Sequence, residues 1–316
     1  MRLSSLVPTI PANLVASLEA NGIRTDVDLL YAAPAFEIYK RLPAKTVTLQ
    51  ELLEYISIVA SLSAAPGISG FELYQLDQVK KPEDDVLRSG NTDLDVFVHG
   101  LNGRVIEISG DRGSGKSTLA LSFTLHSIGS SSHTSAVWID TTGEFSPGGA
   151  AAILAHAKIA ETALERIQVS FAFDIETAQM VIEDLIHRDD PNLRFVVVDC
   201  ITPLLGPLLS AVSAYGHAVM TEFMQQLQSF SRNSGATVLV VNNTAAKGPD
   251  TLDRKPALGP SFVLMTDTTL WLQVHQGKDK DPEDSGFFSI STIKSHTKPT
   301  GTSLDFRIHH GVIHPA

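Results

Sequence analysis

Residues 110–117 read GDRGSGKS, and that one stretch limits sharply what the chain can fold into. It fits the pattern G-x-x-x-x-G-K-[ST], and its flanks suit the motif. Before it, RVIEIS (104–109) alternates as a strand entering a sheet, and after it STLALSFTLHSI (117–128) spaces its apolar residues as a helix does. A glycine-rich turn between strand and helix lets the backbone wrap a phosphate chain. Its N–H groups and the helix N-terminus then face the negative charge. Gly110, Asp111, Arg112, Gly113, Ser114, Gly115, Lys116, Ser117 and Thr118 are the expected nucleotide-binding residues. Lys116 is placed to reach the β- and γ-phosphates, and the Ser117 hydroxyl to ligate Mg²⁺. ATP and Mg²⁺ are the implied ligands.

The rest of the chain suits a phosphate-binding sheet. At 316 residues and 43% hydrophobic it has the material for one large α/β domain and a small accessory one. No apolar run reaches membrane-span length, and MRLSSLVPTIPANL lacks a charged-then-apolar leader pattern, so no membrane association is expected. The single cysteine, Cys200, follows an apolar run and reads as a buried thiol in a reducing compartment. A net charge of −11 repels nucleic acid overall, so contact with DNA needs a local basic patch. The eleven histidines show no metal-site spacing, and no N-K-x-D segment reads guanine.

Residues 1–67 read as a helical unit. Pro11 opens a helix that Gly22 can close, Thr25 is an N-cap, and Thr48 with Glu51 forms a capping box. Small residues, prolines and acidic residues over 68–90 read as linker, and 91–316 as the core. In the core, strands are expected at 104–109, 136–140, 167–171, 194–199 and 237–242, with helices between, including 175–187 and 218–232. Continuous apolar strands separated by helices mean a parallel sheet covered on both faces. Strands at 268–274, 287–295 and 303–308 with no helix between them add an antiparallel end.

Asp199 ends the apolar run RFVVVD, where a carboxylate can hold Mg²⁺; a strand-end aspartate is otherwise a common turn residue. Asn242 and Asn243 end another apolar run, where an amide can sense a γ-phosphate or cap a turn. The segment 244–262 carries Lys247, Arg254 and Lys255 with glycines, prolines and no apolar period, and reads as a mobile, mildly basic loop.

Together these residues resemble the RecA-type recombination ATPases, and more narrowly eukaryotic D-type recombinase paralogues from fungi. NGIRTDVDLL, SGFELYQ, RSGNTDLD, RIQVSFAFDI, VVVDCITPLLGPLL, VVNN and KPALGPSF carry the resemblance over nearly the whole chain. It implies a RecA-like P-loop core, mainly parallel with an antiparallel C-terminal extension, behind a small all-α N-terminal domain. It also implies catalytic roles for Lys116 and Asp199, a γ-phosphate sensor at Asn243, and DNA loops near 203–216 and 244–262.

Three positions depart from that pattern. Thr142 stands where strand-exchange enzymes of the family have the water-orienting glutamate, and a hydroxyl cannot take up a proton as a carboxylate does. Glu144 substitutes only if the turn at Gly143 redirects it. The 203–216 loop holds no Lys or Arg, and Leu270 stands where an arginine is expected. The resemblance therefore implies a weakly hydrolysing ATP-binding mediator of homologous recombination in the nucleus. Its implied partners are other recombinase paralogues, a SWIM-domain protein, the main strand-exchange recombinase and single-stranded DNA. An active strand-pairing ATPase and a non-hydrolysing ATP-dependent scaffold are the alternatives.

Overall fold

The computed structural model describes residues 2–64, 67–79, 87–210, 214–248, 253–275 and 286–316. The chain divides into two compact units, Met1–Val79 and Lys80–Ala316. No helix among the described residues is long and apolar enough to cross a membrane.

The first unit is helical: α1 (Ala12–Ala20), α2 (Asp26–Tyr31), α3 (Ala35–Arg41), α4 (Leu49–Ser63) and α5 (Gly70–Val79). Pro11 caps α1, and Gly22 beyond its end takes a left-handed φ of 82°. Thr25 and Thr48 each accept a backbone N–H three residues on, while Asp28 and Glu51 reach back to the cap backbone. Each such cap contributes about 1 kcal/mol. Leu14, Leu18, Leu29, Ile38, Leu52 and Val59 meet in a core of their own.

Helix α5 lies within the stretch expected to be linker. Its start carries a signal of the same kind, since the Ser69 hydroxyl accepts the Glu72 N–H and the Glu72 carboxylate accepts the Ser69 N–H. The boundary between the two units, after Val79, falls within that stretch. Residues 80–86 of the expected linker lie outside the described residues.

In the second unit, α6 (Thr92–Val98) leads into β1 (Val105–Gly110), α7 (Lys116–Gly129), β2 (Ser135–Asp140), α8 (Pro147–Ala157), β3 (Ile167–Phe171), α9 (Ile175–Arg188), β4 (Leu193–Asp199) and α10 (Ile201–Leu205). Then come α11 (Tyr215–Ser234), β5 (Thr237–Asn242), β6 (Thr244–Ala246), β7 (Arg254–Pro256), α12 (Gly259–Leu264), β8 (Thr268–His275), β9 (Gly286–Ser295), β10 (Ser303–His309) and β11 (Val312–Pro315). Nine strands form one sheet in the order β11-β10-β9-β8-β1-β5-β4-β2-β3. Pairs from β8 through β3 are parallel, and β8–β9, β9–β10 and β10–β11 are antiparallel.

Successive strand residues point to opposite faces, and here both are apolar because helices cover both. Phe195 and Val197 of β4, with Leu239 and Val241 of β5, pack on the α7–α8 side. Val196, Val198, Val238 and Val240 pack on the α9–α11 side. Removing one such side chain down to alanine costs about 2–5 kcal/mol. Because β1, β2, β4 and β5 run parallel, their C-terminal ends emerge along one edge, where ligands of open α/β sheets bind. The register sets Ser109 beside Asn242 and Asp140 beside Asp199.

Candidate functional site: the C-terminal edge of the sheet

Strand β1, buried throughout, delivers Gly110 to this edge, and α7 starts at Lys116. Gly115 caps the helix at φ 83°, a left-handed conformation that favours glycine. The loop is also wedged tightly. A Cβ at Gly110 would lie 2.4 Å from the Leu272 carbonyl oxygen of β8, and one at Gly115 would lie 3.0 Å from Ile308 of β10. Thus the antiparallel extension forms the loop's back wall. The Lys116 ammonium, 7% exposed, donates to the carbonyls of Gly110 (2.9 Å) and Asp111 (2.7 Å). Burial lowers its pKa, against the pull of the nearby Asp199 and Asp111. The buried Ser114 hydroxyl has no hydrogen-bond partner among the described residues, an orphan that a bound phosphate would satisfy.

Asp199, at the end of β4, bonds the Ser117 hydroxyl. Burial pushes its carboxyl up to about 6; the Ser117 bond and Lys116 oppose this, and the Asp140 and Glu144 carboxylates add to it. The two expected magnesium ligands are therefore side by side. Among the described residues no group of three or more His, Cys, Asp or Glu could hold a metal alone. One carboxylate and one hydroxyl suit Mg²⁺, which completes its shell with phosphate oxygens and water. Held by Ser117 and Asp199, the ion would supply positive charge to offset the negative charge of the phosphates. Cys200 is buried, as expected, and its backbone N–H and carbonyl both bond the Thr141 hydroxyl, tying the ends of β4 and β2 together.

The turn after β2 settles where Glu144 goes. Asp140 accepts the N–H groups of Thr142 (3.0 Å), Gly143 (2.8 Å) and Phe145 (2.9 Å), and with φ at 76° Gly143 reverses the chain. Burial alone would raise the Asp140 pKa, but these backbone donors hold it below its ordinary value. The Thr142 hydroxyl faces Asp140 at 3.3 Å. Glu144 instead lines a cavity of about 430 Å³ with Ser117, Thr118 and Asp199.

The two amides at the end of β5 are held in different ways. Asn242, fully buried, donates to Glu107 (2.7 Å) and to the Ala257 carbonyl, and accepts the Thr202 hydroxyl (2.8 Å). Asn243, the expected sensor, is fixed through its backbone, its N–H donating to Thr202 and its carbonyl accepting the Ala257 N–H. Glu107 was not singled out from sequence. Its carboxylate, buried in β1 and raised in pKa by that burial, also accepts the hydroxyls of Ser109 and Thr269. A charged residue amid the apolar run VIEIS was the available signal.

The segment 244–262 is not the structureless loop its composition implies. Strands β6 and β7 pair Thr244 with Pro256 and Ala246 with Arg254, and α12 follows. Residues 249–252 lie outside the described residues. Two of the expected DNA-contacting cations have acidic neighbours: Lys247 is 3.6 Å from Asp253, and Arg254 is 3.1 Å from Asp111 of the phosphate loop. Thr244 also bonds Asp111, so hairpin and phosphate loop are joined. Lys255 is exposed. Of the other expected DNA loop, α10 and a 3₁₀ turn at Gly206–Leu208 are described, and residues 211–213 are not. Leu270 is buried in β8 beside Ile108, where a charged side chain would have no solvent.

Three comparisons bear on this arrangement. Residues 78–248, more than half of the chain, match a family model described as an AAA domain. The chain is 30% identical over 311 residues to DNA repair protein RAD51 homolog 4 of Bos taurus, covering 94% of this chain and 92% of that one. It is 28% identical over 314 residues to the same-named protein of Mus musculus, covering 95% and 92%. The crystal structure of the RadB recombinase aligns with a TM-score of 0.61 and 24% identity, over 73% of this chain and 99% of that one. That last likeness concerns the fold, a RecA-like α/β sheet.

Proposed function

The chain belongs to the RAD51 family and carries an AAA-type P-loop core, and from that premise we propose that it is a D-type paralogue acting as an ATP-binding mediator in homologous recombination and double-strand break repair. In this reading it works in the nucleus with other recombinase paralogues and a SWIM-domain protein, and helps the main strand-exchange recombinase on single-stranded DNA. The observation that carries the reading is the uneven state of the C-terminal edge. A tightly wedged phosphate loop stands there beside a 203–216 loop with no cation. Such a chain binds nucleotide but cannot grip DNA strongly by itself, so a partner must complete the DNA surface.

Lys116, Ser117, Asp199 and the loop amides hold and orient the phosphates. Asn243 is the proposed γ-phosphate sensor, fixed by Thr202 and Ala257. Water activation is weak because Thr142 lacks a carboxylate. One observation favours some turnover: Glu144 lines the same cavity as Ser117 and Asp199. The experiment is to purify the tagged chain from cells, identify companions by mass spectrometry, and assay them together for recombinase assembly on single-stranded DNA. The expected result is a complex that accelerates assembly where the lone chain does not. Efficient strand pairing by the lone chain, with rapid ATP turnover, would sink the mediator reading in favour of an active recombinase.

A further inference from the structure

Strand β1 runs in the middle of the sheet, between β5 and β8, and there Glu107 is 0% exposed. An apolar side chain would fill such a place at less cost, because a buried carboxylate loses its water. Three donors replace that water. The Asn242 amide donates to Glu107 at 2.7 Å, the Ser109 hydroxyl at 2.6 Å and the Thr269 hydroxyl at 2.8 Å. The donors belong to β5, β1 and β8, so one carboxylate ties three neighbouring strands together. Asn242 carries the connection on to the C-terminal edge.

The direction of each bond beyond Glu107 follows from it. The Glu107 oxygen and the Ala257 carbonyl both accept, so the Asn242 NH₂ turns towards them, at 2.7 and 3.2 Å. Its Oδ1 must then face Thr202, whose hydroxyl donates to it at 2.8 Å. With its proton committed there, the Thr202 oxygen is left to accept the Asn243 N–H at 2.9 Å. The Ala257 N–H donates to the Asn243 carbonyl, also at 2.9 Å. Both backbone groups of Asn243 are thus held by residues that Asn242 itself holds. Those two supports lie in different segments, Thr202 in α10 and Ala257 between β7 and α12. Leu258, the next residue, has a φ of 68°, a left-handed conformation uncommon for a bulky side chain. Such a conformation persists only where its surroundings fix it, and here Asn242 and Asn243 bond both polar groups of the Ala257 backbone.

We propose that Glu107 is the positioning residue of the γ-phosphate sensor: by setting the Asn242 amide it holds Asn243, together with the segments at Thr202 and Ala257, in one arrangement. This rests on the reading of Asn243 as the sensor and adds what keeps that residue in place. Glu107 is not itself a sensor; it acts through Asn242. Without the carboxyl oxygen the amide loses an acceptor that tells its NH₂ from its oxygen. It is then free to turn over and put its NH₂ against the Thr202 oxygen in place of the Asn243 N–H.

The test reads selectivity for a third phosphate, which a general loss of stability does not alter. Calorimetric titrations with Mg²⁺ compare ADP with the non-hydrolysable β,γ-imido analogue of ATP. They use the full chain and its Asn243→Ala, Glu107→Leu, Glu107→Gln, Thr202→Val and Thr202→Ser variants. Asn243→Ala should weaken the analogue about tenfold and leave ADP unchanged, the size of one lost hydrogen bond to a charged group. Glu107→Leu and Thr202→Val should each remove much of the same selectivity, again with ADP unchanged. Glu107→Gln, which keeps an acceptor oxygen, and Thr202→Ser, which keeps the hydroxyl, should retain it. Adding Glu107→Leu to Asn243→Ala should lower it no further, because the two act at one point. Wild-type selectivity in Glu107→Leu or in Thr202→Val, with selectivity lost in Asn243→Ala, would overturn the positioning role. Should Glu107→Leu fail to fold, Thr202→Val, at a half-buried residue, decides alone. Selectivity unchanged in Asn243→Ala would overturn the sensor reading itself.

Discussion

Lys116 and the cations of the β6–β7 hairpin sit at the same edge of the sheet and differ in nearly every physical respect. Lys116 is 7% exposed and bonded to two carbonyls of its own loop, whereas the side chains of Lys247 and Arg254 are 56% and 44% exposed and lie beside Asp253 and Asp111. A charge with little water around it and a fixed direction acts strongly on a nearby phosphate. An exposed cation already paired with a carboxylate is screened, and such a pair contributes about 0–1 kcal/mol. The phosphate loop is therefore ready to bind, while the hairpin must first give up its own ion pairs.

The contrast breaks first at Lys116. Lys116→Ala should reduce ATP affinity by about a hundredfold, the loss of a charged hydrogen-bonding group, with little change in thermal stability. A fluorescent-nucleotide titration checks this, and unchanged affinity would refute the assignment of the loop.

Glu144 gives the next largest effect. Wild-type turnover should be slow even with single-stranded DNA, and Glu144→Gln should lower it further by about tenfold, less than a fully placed general base supplies. Steady-state phosphate release measures both. Turnover unaltered by Glu144→Gln would show that lining the cavity with Ser117 and Asp199 gives this carboxylate no part in water activation.

The hairpin gives the smallest change. Neutralising Lys247, Arg254 and Lys255 together should weaken single-stranded DNA binding severalfold at physiological salt and reduce the slope of log affinity against log salt by about 2. Anisotropy titrations across a salt series report it. Tight binding by the lone chain that survives the triple substitution would mean that the DNA surface lies elsewhere, with Arg24, Lys40, Arg41 and Lys45 of the helical unit the next to test.

How much was legible follows the same division. The capping boxes at Thr25 and Thr48 and the phosphate loop could be read because their hydrogen bonds join residues a few positions apart. The Ser69–Glu72 box was equally local, but the glycines and prolines around it favoured a linker, and helix α5 was missed. β6 and β7 are three residues each, too short to show alternation, and β11 is a four-residue edge strand. Asn242 and Asn243 are chemically identical. Only their bonds to Glu107 and Thr202, far apart in sequence, tell the buried tie from the residue at the tip.

By itself the sequence determined the class of fold and the position of the phosphate loop. Those follow from periodicity and from contacts along one chain segment. Tertiary structure decided the rest: that the turn at Gly143 carries Glu144 to the cavity, that Glu107 holds Asn242, that Asp111 engages Arg254, and that His310 meets His156. Each of these depends on sheet order or on the direction of a single turn. Side chains more than a hundred residues apart are brought within hydrogen-bonding or stacking distance only when the whole sheet has closed.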